Sequence, residues 1–437
     1  MKAKLTVAFL VLLLVSCAQV LASTRSEVLS YKAVSENPAE SGPAISELRA
    51  LGAAGFSSLL AVHNEEISRH ISNPLEPATS SWQRLTAALD AVSQQKDSYL
   101  SGLYWYTDLS QAEAAAKASG KPILSLRLLG NLNEEFSCAN SRFFRAVLYS
   151  NAEVSRFLRE RFILHWQSVR PAPRVTIDFG DGRKLERTVT GNSIHYVLDN
   201  EGRVIDALPG LYGPVAFLRI LSRAEDVSHR LAGQMGDGRQ QTLADYHRTA
   251  VQAITAAWLE DAKLVGGKIP DSLLPKTNGK SIRAVDIAPL AMTKAVSEYT
   301  ILQAITRDAD SLKAITDEAT WTRIAWRHIE EARLDQQSIS LITRQMQGLW
   351  ATDRPEVKTL NLVQRLQQNI ALDTVRNEYI LHTKLHAWLG SGLAPNEVNT
   401  LNERVYAELF LTPKSDPWLG LFSEDTYVGL ESGGVIR

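Results

Sequence analysis

Apolar residues keep two different rhythms along this chain, and the change of rhythm divides it. From Ala44 to about Asp97 they recur every three or four positions: Ile45, Leu48 and Leu51, then Leu59, Leu60, Val62 and Ile67. That spacing predicts amphipathic helices. It breaks at Asn73-Pro74 through Pro77 and resumes at Trp82, Leu85, Leu89 and Val92. Between about Tyr104 and Ser222 short apolar runs take over, punctuated by glycines. Asp108 to Ser119 is alanine-rich and helical, with Gly120 closing it. Ile123 to Gly130 is an aliphatic run bracketed by Gly120 and Gly130, which predicts a buried strand. A helix is expected from Cys138, because Phe143, Phe144, Val147, Leu148, Val154, Phe157 and Leu158 return to helical spacing. Phe162 to Trp166 is the next strand. Arg174 to Phe179 and Lys184 to Val189 flank Gly180-Asp181-Gly182, a hairpin signal. Ile194 to Leu198 and Val204 to Leu208 are strands turned by Asp199 to Gly202, and a helix opens at Pro214.

Beyond a linker containing Gly233, Gly236 and Gly238, helical spacing dominates to about Leu411. It is carried by Leu243, Tyr246, Ala250, Ile254 and Trp258, then Leu290, Met292, Val296, Tyr299 and Leu302, then a long stretch from Val357 to Leu389 with room for one break. Residues 23–45 are polar and proline-punctuated, and predict a tether or mobile lead-in. The last residues, from Pro413, are irregular. Their Trp418, Leu421, Phe422 and Tyr427 predict a tail docked on the body.

Composition narrows the classes. A chain of 437 residues with 45% hydrophobic content can bury sizeable cores, and its length favours two or three domains. A formal net charge of −1 without a basic run offers no general attraction to nucleic acid. At the N-terminus, Lys2 and Lys4 precede the apolar run Leu5 to Val15, an export signal too short to span a bilayer. Two cleavage readings compete. Leu14-Val15-Ser16-Cys17 resembles a bacterial lipobox and would make Cys17 the lipidated first residue, the favoured reading. Val20-Leu21-Ala22 is an ordinary site that would leave Ser23 first. Either removes Cys17 from thiol chemistry, so the mature chain has one free thiol, Cys138, and no internal disulfide.

A thiol at a helix start faces unpaired N–H groups and the positive end of the dipole, which favour its thiolate. Glu134 and Glu135 oppose that, and Arg142 and Arg145 could offset them. The plain alternative is a small buried hydrophobe. Glu378, His382 and His386 share one helical face at i, i+4 spacing, but a polar face with a Glu–His pair is the commoner meaning, and no metal is expected. His63, Glu66 and His70 repeat the pattern more weakly. His165 and His195 lie on strands and read as packed residues, and Tyr104, Trp105 and Trp166 as core or groove walls. Asp178-Phe179-Gly180 spells a kinase triplet without its companion motifs.

Several pieces together resemble exported bacterial thioredoxin-like domains: Trp105 to Leu109, Ala112 to Ala118, Gly120-Lys121-Pro122-Ile123-Leu124, Cys138 at a helix start, Phe162 to Trp166, and Ile194 to Ile205. The likeness covers roughly residues 100–225. It implies an α/β thioredoxin-like domain, with a central mixed sheet and flanking helices, followed by a mainly α-helical C-terminal domain. The chain departs from the family's Cys-x-x-Cys by placing Ser141 at the second position, and no cis-proline precedes Ile194. Gly191-Asn192-Ser193 stands there, and the Gly180 hairpin replaces a helix. The resemblance makes Cys138 and Ser141 the catalytic pair, with Ser193, Asn192 and Asn140 shaping a substrate groove. Ser141 would hydrogen-bond the thiolate, and Ser193 would face the thiol.

The expected organisation is a signal peptide at 1–22, a polar lead-in and helical segment at 23–99, a thioredoxin-like domain at 100–232, an α-helical domain at 240–412 and a docked tail at 413–437. The expected work is thiol–disulfide or thiol-oxidation chemistry in the envelope through one cysteine, on a protein or small thiol, with no cofactor. A serine cannot expel a mixed disulfide as a second thiol would. The other reading is therefore a non-catalytic binding or assembly protein that holds an envelope partner through its helical domain, touching the membrane only through a lipid anchor.

Overall fold

The computed structural model describes residues 24–189, 191–266, 318–347, 355–392, 394–395, 397–419, 421 and 429–435. The leader with Cys17, the Leu290 to Leu302 stretch, Phe422 and Tyr427 lie outside the described residues.

The polar lead-in is helical, which corrects the tether expectation. Helix α1 spans residues 24–33 and buries Leu29 and Ala33. Asn37 then caps α2 (Pro38–Ala50), its Oδ1 accepting from Ala39 N–H at 3.0 Å with proline opening the helix. Only Ala44 and Leu48 of α2 are buried. A stripe so thin, set among serines and glutamates, shows little periodicity in sequence. Helices α3 (Ala53–Val62), α4 (Asn64–Ser72), α5 (Ser80–Ser93) and short α6 (Ser98–Ser101) follow. Thr79 caps α5 through Trp82 N–H, and Leu85, Leu89 and Val92 form its buried stripe.

The centre is a five-stranded mixed sheet in the order β1-β3-β2-β6-β7, built from β1 (Trp105–Tyr106), β2 (Ile123–Leu129), β3 (Ile163–Arg170), β6 (Ile194–Leu198) and β7 (Val204–Pro209). Strands β1, β3 and β2 run parallel, and β6 and β7 add antiparallel. Strand β2 is buried along its whole length, as a near-continuous aliphatic run between two neighbours should be. Its two polar residues are both paired. Ser125 Oγ lies 2.8 Å from His165 Nδ1, and Arg127 donates to Asn399 Oδ1 at 2.9 Å. Strands β4 (Arg174–Asp178) and β5 (Lys184–Thr188) form the separate hairpin expected around Gly180 and Gly182, both with positive φ.

Helix α7 (Leu109–Ser119) is capped by Asp108 and ends at Gly120, whose φ of 73° suits glycine. The helix from Cys138 comes in three pieces: α8 (Ala139–Phe143), a π-helical turn (Phe144–Leu148) and α9 (Ala152–Arg161). Asn151 starts α9 afresh, its side chain accepting from Glu153 and Val154 N–H. Helix α10 (Pro214–Leu231) packs on β6 and β7.

The C-terminal part is largely helical, with α11 (Gly236–Leu264), α12 (Glu318–Arg327), α13 (Gln336–Gln345) and α14 (Pro355–Arg376). A π-helical turn (Asn377–His382), α15 (Thr383–Gly390), α16 (Val398–Arg404) and a third π-helical turn (Val405–Leu409) follow among the described residues. Gly236 and Gly238 sit inside α11, so the expected linker shrinks. The break expected between Val357 and Leu389 is the widened turn at Asn377. Among the described residues no helix is long and apolar enough to cross a membrane.

Candidate functional site

Two buried polar constellations lie where the C-terminal helices meet the sheet. The first surrounds Cys138. The chain leaves β2 at Gly130, loops through Glu135, and returns with Cys138 N–H bonded to Leu129 O at 3.1 Å, so the cysteine caps α8. The expected placement at a helix start is observed, but the helix is five residues long and the sulfur is 0% exposed. Its thiol donates to Ser141 Oγ at 3.4 Å, while the Ser141 hydroxyl donates to the Cys138 carbonyl at 2.8 Å. With that proton spent on a carbonyl, Ser141 accepts from a thiol instead of donating to a thiolate.

Of the two arginines expected to offset the glutamates, Arg145 lies against them and feels the Glu135 charge. Arg145 donates to the carbonyls of Glu134 and Glu135 at 3.0 and 3.3 Å, Arg142 donates to Thr188 Oγ1, and Glu135 pairs with Lys96. Around the sulfur, burial pushes Tyr149 and Tyr406 well above the usual phenol range, with the nearby Cys138 as the next cause for each. Tyr406 Oη donates to the Asn192 carbonyl at 3.0 Å, and Asn192 Nδ2 donates to Thr412 Oγ1 at 2.8 Å. The expected groove residues are thus covered by the third π-helical turn and the segment after it. Ser193 and Asn140 are buried beneath, with Ser193 Oγ and Asn140 Oδ1 lacking partners among the described residues. Arg170 fastens the cover by donating to the carbonyls of Thr412 and Asp416, and Leu419 is buried, which seats the start of the tail.

The other sequence candidates disperse. His63 contacts the Ser30 carbonyl, and His70 stacks on Trp82 at 3.9 Å between centroids. Trp105 Nε1 donates to Gln95 Oε1, Trp166 Nε1 to the Gln94 carbonyl, and Tyr104 Oη to the Arg49 carbonyl. His195 Nε2 lies 2.6 Å from Tyr149 Oη, and burial depresses both His195 and His165 to about 3, the latter with help from Arg127.

The second constellation was seen only in part in sequence, which noted His382 and His386 but not Asp206 or His247. Asp206 sits on β7, 0% exposed, where its neighbours Val204, Ile205, Ala207 and Leu208 are apolar. His382 Nε2 lies 3.1 Å from Asp206 Oδ1, His386 Nδ1 lies 3.8 Å from the same oxygen, and Tyr246 Oη donates to Oδ2. His247 Nδ1 faces His386 Nδ1 at 2.8 Å. The i, i+4 spacing stacks the rings of His382 and His386 at 4.1 Å, as the sequence proposed. Their expected partner Glu378 turns away, held by both arms of Arg219 at 2.7 Å.

The local chain explains this convergence. Gly210, at φ 79°, lets Asn377 approach so closely that a Cβ would meet its Nδ2 at 2.6 Å, and Asn377 Nδ2 donates to the Leu211 carbonyl at 2.7 Å. That anchors the widened turn beside β7 and delivers His382 to Asp206. At Gly390 the backbone of α15 passes close to His247, bringing α11's imidazole to His386.

Burial pushes the Asp206 carboxyl up, but the imidazoles of His386 and His382 outweigh it and hold the group well below the usual carboxylate range. Burial keeps His247 near about 4 and His386 well below its ordinary value, so these two rings are neutral at neutral pH. Among the described residues no group bonds to His382 Nδ1. Beside the cluster, a cleft of about 530 Å³ opens between α10, α11 and α15, with Tyr246, Glu378, His382 and His386 in its wall. No protein-family model, curated protein or solved structure matches this chain.

Proposed function

We propose that the chain is an exported, thioredoxin-like protein that acts by binding an envelope partner, with its one mature thiol serving as a core residue. The parallel β1-β3-β2 block extended by the antiparallel β6–β7 pair supports the thioredoxin-like reading, as does a loop that returns Cys138 to a helix start beyond β2. The observation that carries the binding reading is the closure of that end. The sulfur has no exposure, its proton is given to Ser141, and Tyr406 and Thr412 occupy the polar groups of Asn192. Thiol exchange requires a thiolate that another sulfur can reach in line.

The C-terminal helices then have two roles, covering the thiol end and offering the cleft lined by α10, α11 and α15. The leader places the protein in the envelope, held by a lipid at Cys17 or released at Ala22. Affinity recovery from envelope extracts with wild-type and Cys138→Ala bait tests this reading. The same partners are expected from both baits. Partners trapped through a disulfide and lost with Cys138→Ala would return the chain to thiol chemistry.

A further inference from the structure

We propose that Asp206, His382 and His386 bind a divalent transition-metal ion of the zinc or iron class, with a third nitrogen, from His247, adjoining and an open side facing the cleft. Two imidazoles and one carboxylate are a donor set that such ions take readily, and three protein ligands with a free position characterise sites that act on a ligand.

The spacing fits. An ion with bonds of about 2.0–2.1 Å holds tetrahedral ligands about 3.3 Å apart. Asp206 Oδ1 stands 3.1 Å from His382 Nε2 and 3.8 Å from His386 Nδ1, and one donor atom from each of the three residues lies within 4.8 Å of the others. The two Asp206–histidine separations thus lie within about 0.5 Å of that ligand spacing. His247 Nδ1 and His386 Nδ1 lie 2.8 Å apart, close enough for one ring to donate its N–H to the other or for an ion to take both nitrogens.

Two observations beyond the cluster point the same way. The donors are held by the surroundings: Tyr246 donates to the second Asp206 oxygen, and Arg219 engages both oxygens of Glu378, the carboxylate in the cleft wall beside the histidines. The cleft also reaches His382 and His386 but not Asp206 or His247, so a ligand would meet an ion on one side only.

The test uses untagged full-length protein, stripped with a chelator and titrated with Co(II) as a spectroscopic probe. About one equivalent is expected, giving the visible bands of nitrogen- and oxygen-ligated cobalt, which Zn(II) should bleach. His382→Ala and His386→Ala should weaken binding by more than about 100-fold, since even partners outside a ligand set are worth roughly 10- to 100-fold. His63→Ala, whose ring contacts the Ser30 carbonyl far from the cluster in sequence, should bind as the wild type does. Zinc should also raise the wild-type unfolding midpoint in a concentration-dependent way. Wild-type protein that shows no cobalt bands would overturn the site even if the variants failed to fold. So would unchanged affinity in folded His382→Ala and His386→Ala.

Discussion

Around Cys138 four polar protons are spent pairwise, the thiol's on Ser141, the serine's on a carbonyl, Tyr406's on Asn192 and Asn192's on Thr412, while Ser193 Oγ is left without a partner among the described residues. Around Asp206 the groups instead converge, with three imidazoles and a phenol gathered about one carboxylate beside a cleft. Both regions are buried, and both have a π-helical turn at their edge, a device frequent at functional sites. Burial therefore does not separate a working cluster from a packed one. What separates them is whether the donors satisfy one another in pairs or point at a shared position next to open volume.

The contrast can be broken first at Asp206. Asp206→Ala removes a buried carboxylate and strands His382, His386 and Tyr246, so guanidinium unfolding should show a loss of about 3–5 kcal/mol. A loss below about 1 kcal/mol would mean that the carboxylate does not organise the centre. The next effect comes from pH and belongs to the sheet beside the thiol. His165 and His195 are held at about 3 when folded, whereas an unfolded histidine titrates near 6.5. The unfolded chain therefore binds protons that the folded one refuses. The stability these residues supply is complete above about 6.5 and drains away as pH falls toward 3, at about 1.4 kcal/mol per pH unit for each. Urea midpoints at pH 7 and pH 5 should differ accordingly, and His195→Phe should remove one histidine's share of that slope. Identical slopes in variant and wild type would refute this.

Smaller effects sharpen the comparison. Cys138→Ala should cost about 1.5 kcal/mol, the ordinary toll of trimming a packed core, and leave cobalt binding at the histidine cluster unchanged. Tyr406→Phe should cost about 1 kcal/mol for the lost bond to Asn192, measured by urea unfolding, with its ring still covering the thiol.

Much of the fold was readable locally. The start of α10 at Pro214, strand β6, the Gly180 hairpin and the end of α7 at Gly120 follow from turn residues and short apolar runs, which act over a few positions. The sites were not readable in that way. The cover on the groove depends on Asn192 meeting Thr412 across 220 residues, and no local pattern announces it. Cys138 looked reactive because a helix start is a local feature, whereas its enclosure comes from Tyr149 and from Tyr406 far along the chain. The histidine pair was visible, but its carboxylate was sought on the same helix. One signal was available: an aspartate inside the apolar strand Val204 to Leu208 has to be matched by something after burial. Helix α1 and the part of α2 before Ala44 escaped notice because their buried stripes are only one or two residues wide.

The central claim is that Cys138 is enclosed by the fold, and its alkylation measures this directly. The folded full-length chain is treated with iodoacetamide across a guanidinium series while unfolding is followed in parallel. The account predicts a thiol that stays unmodified in the native chain and reacts only along the unfolding transition. Rapid, complete modification without denaturant would contradict it and reopen the thiol as the working group.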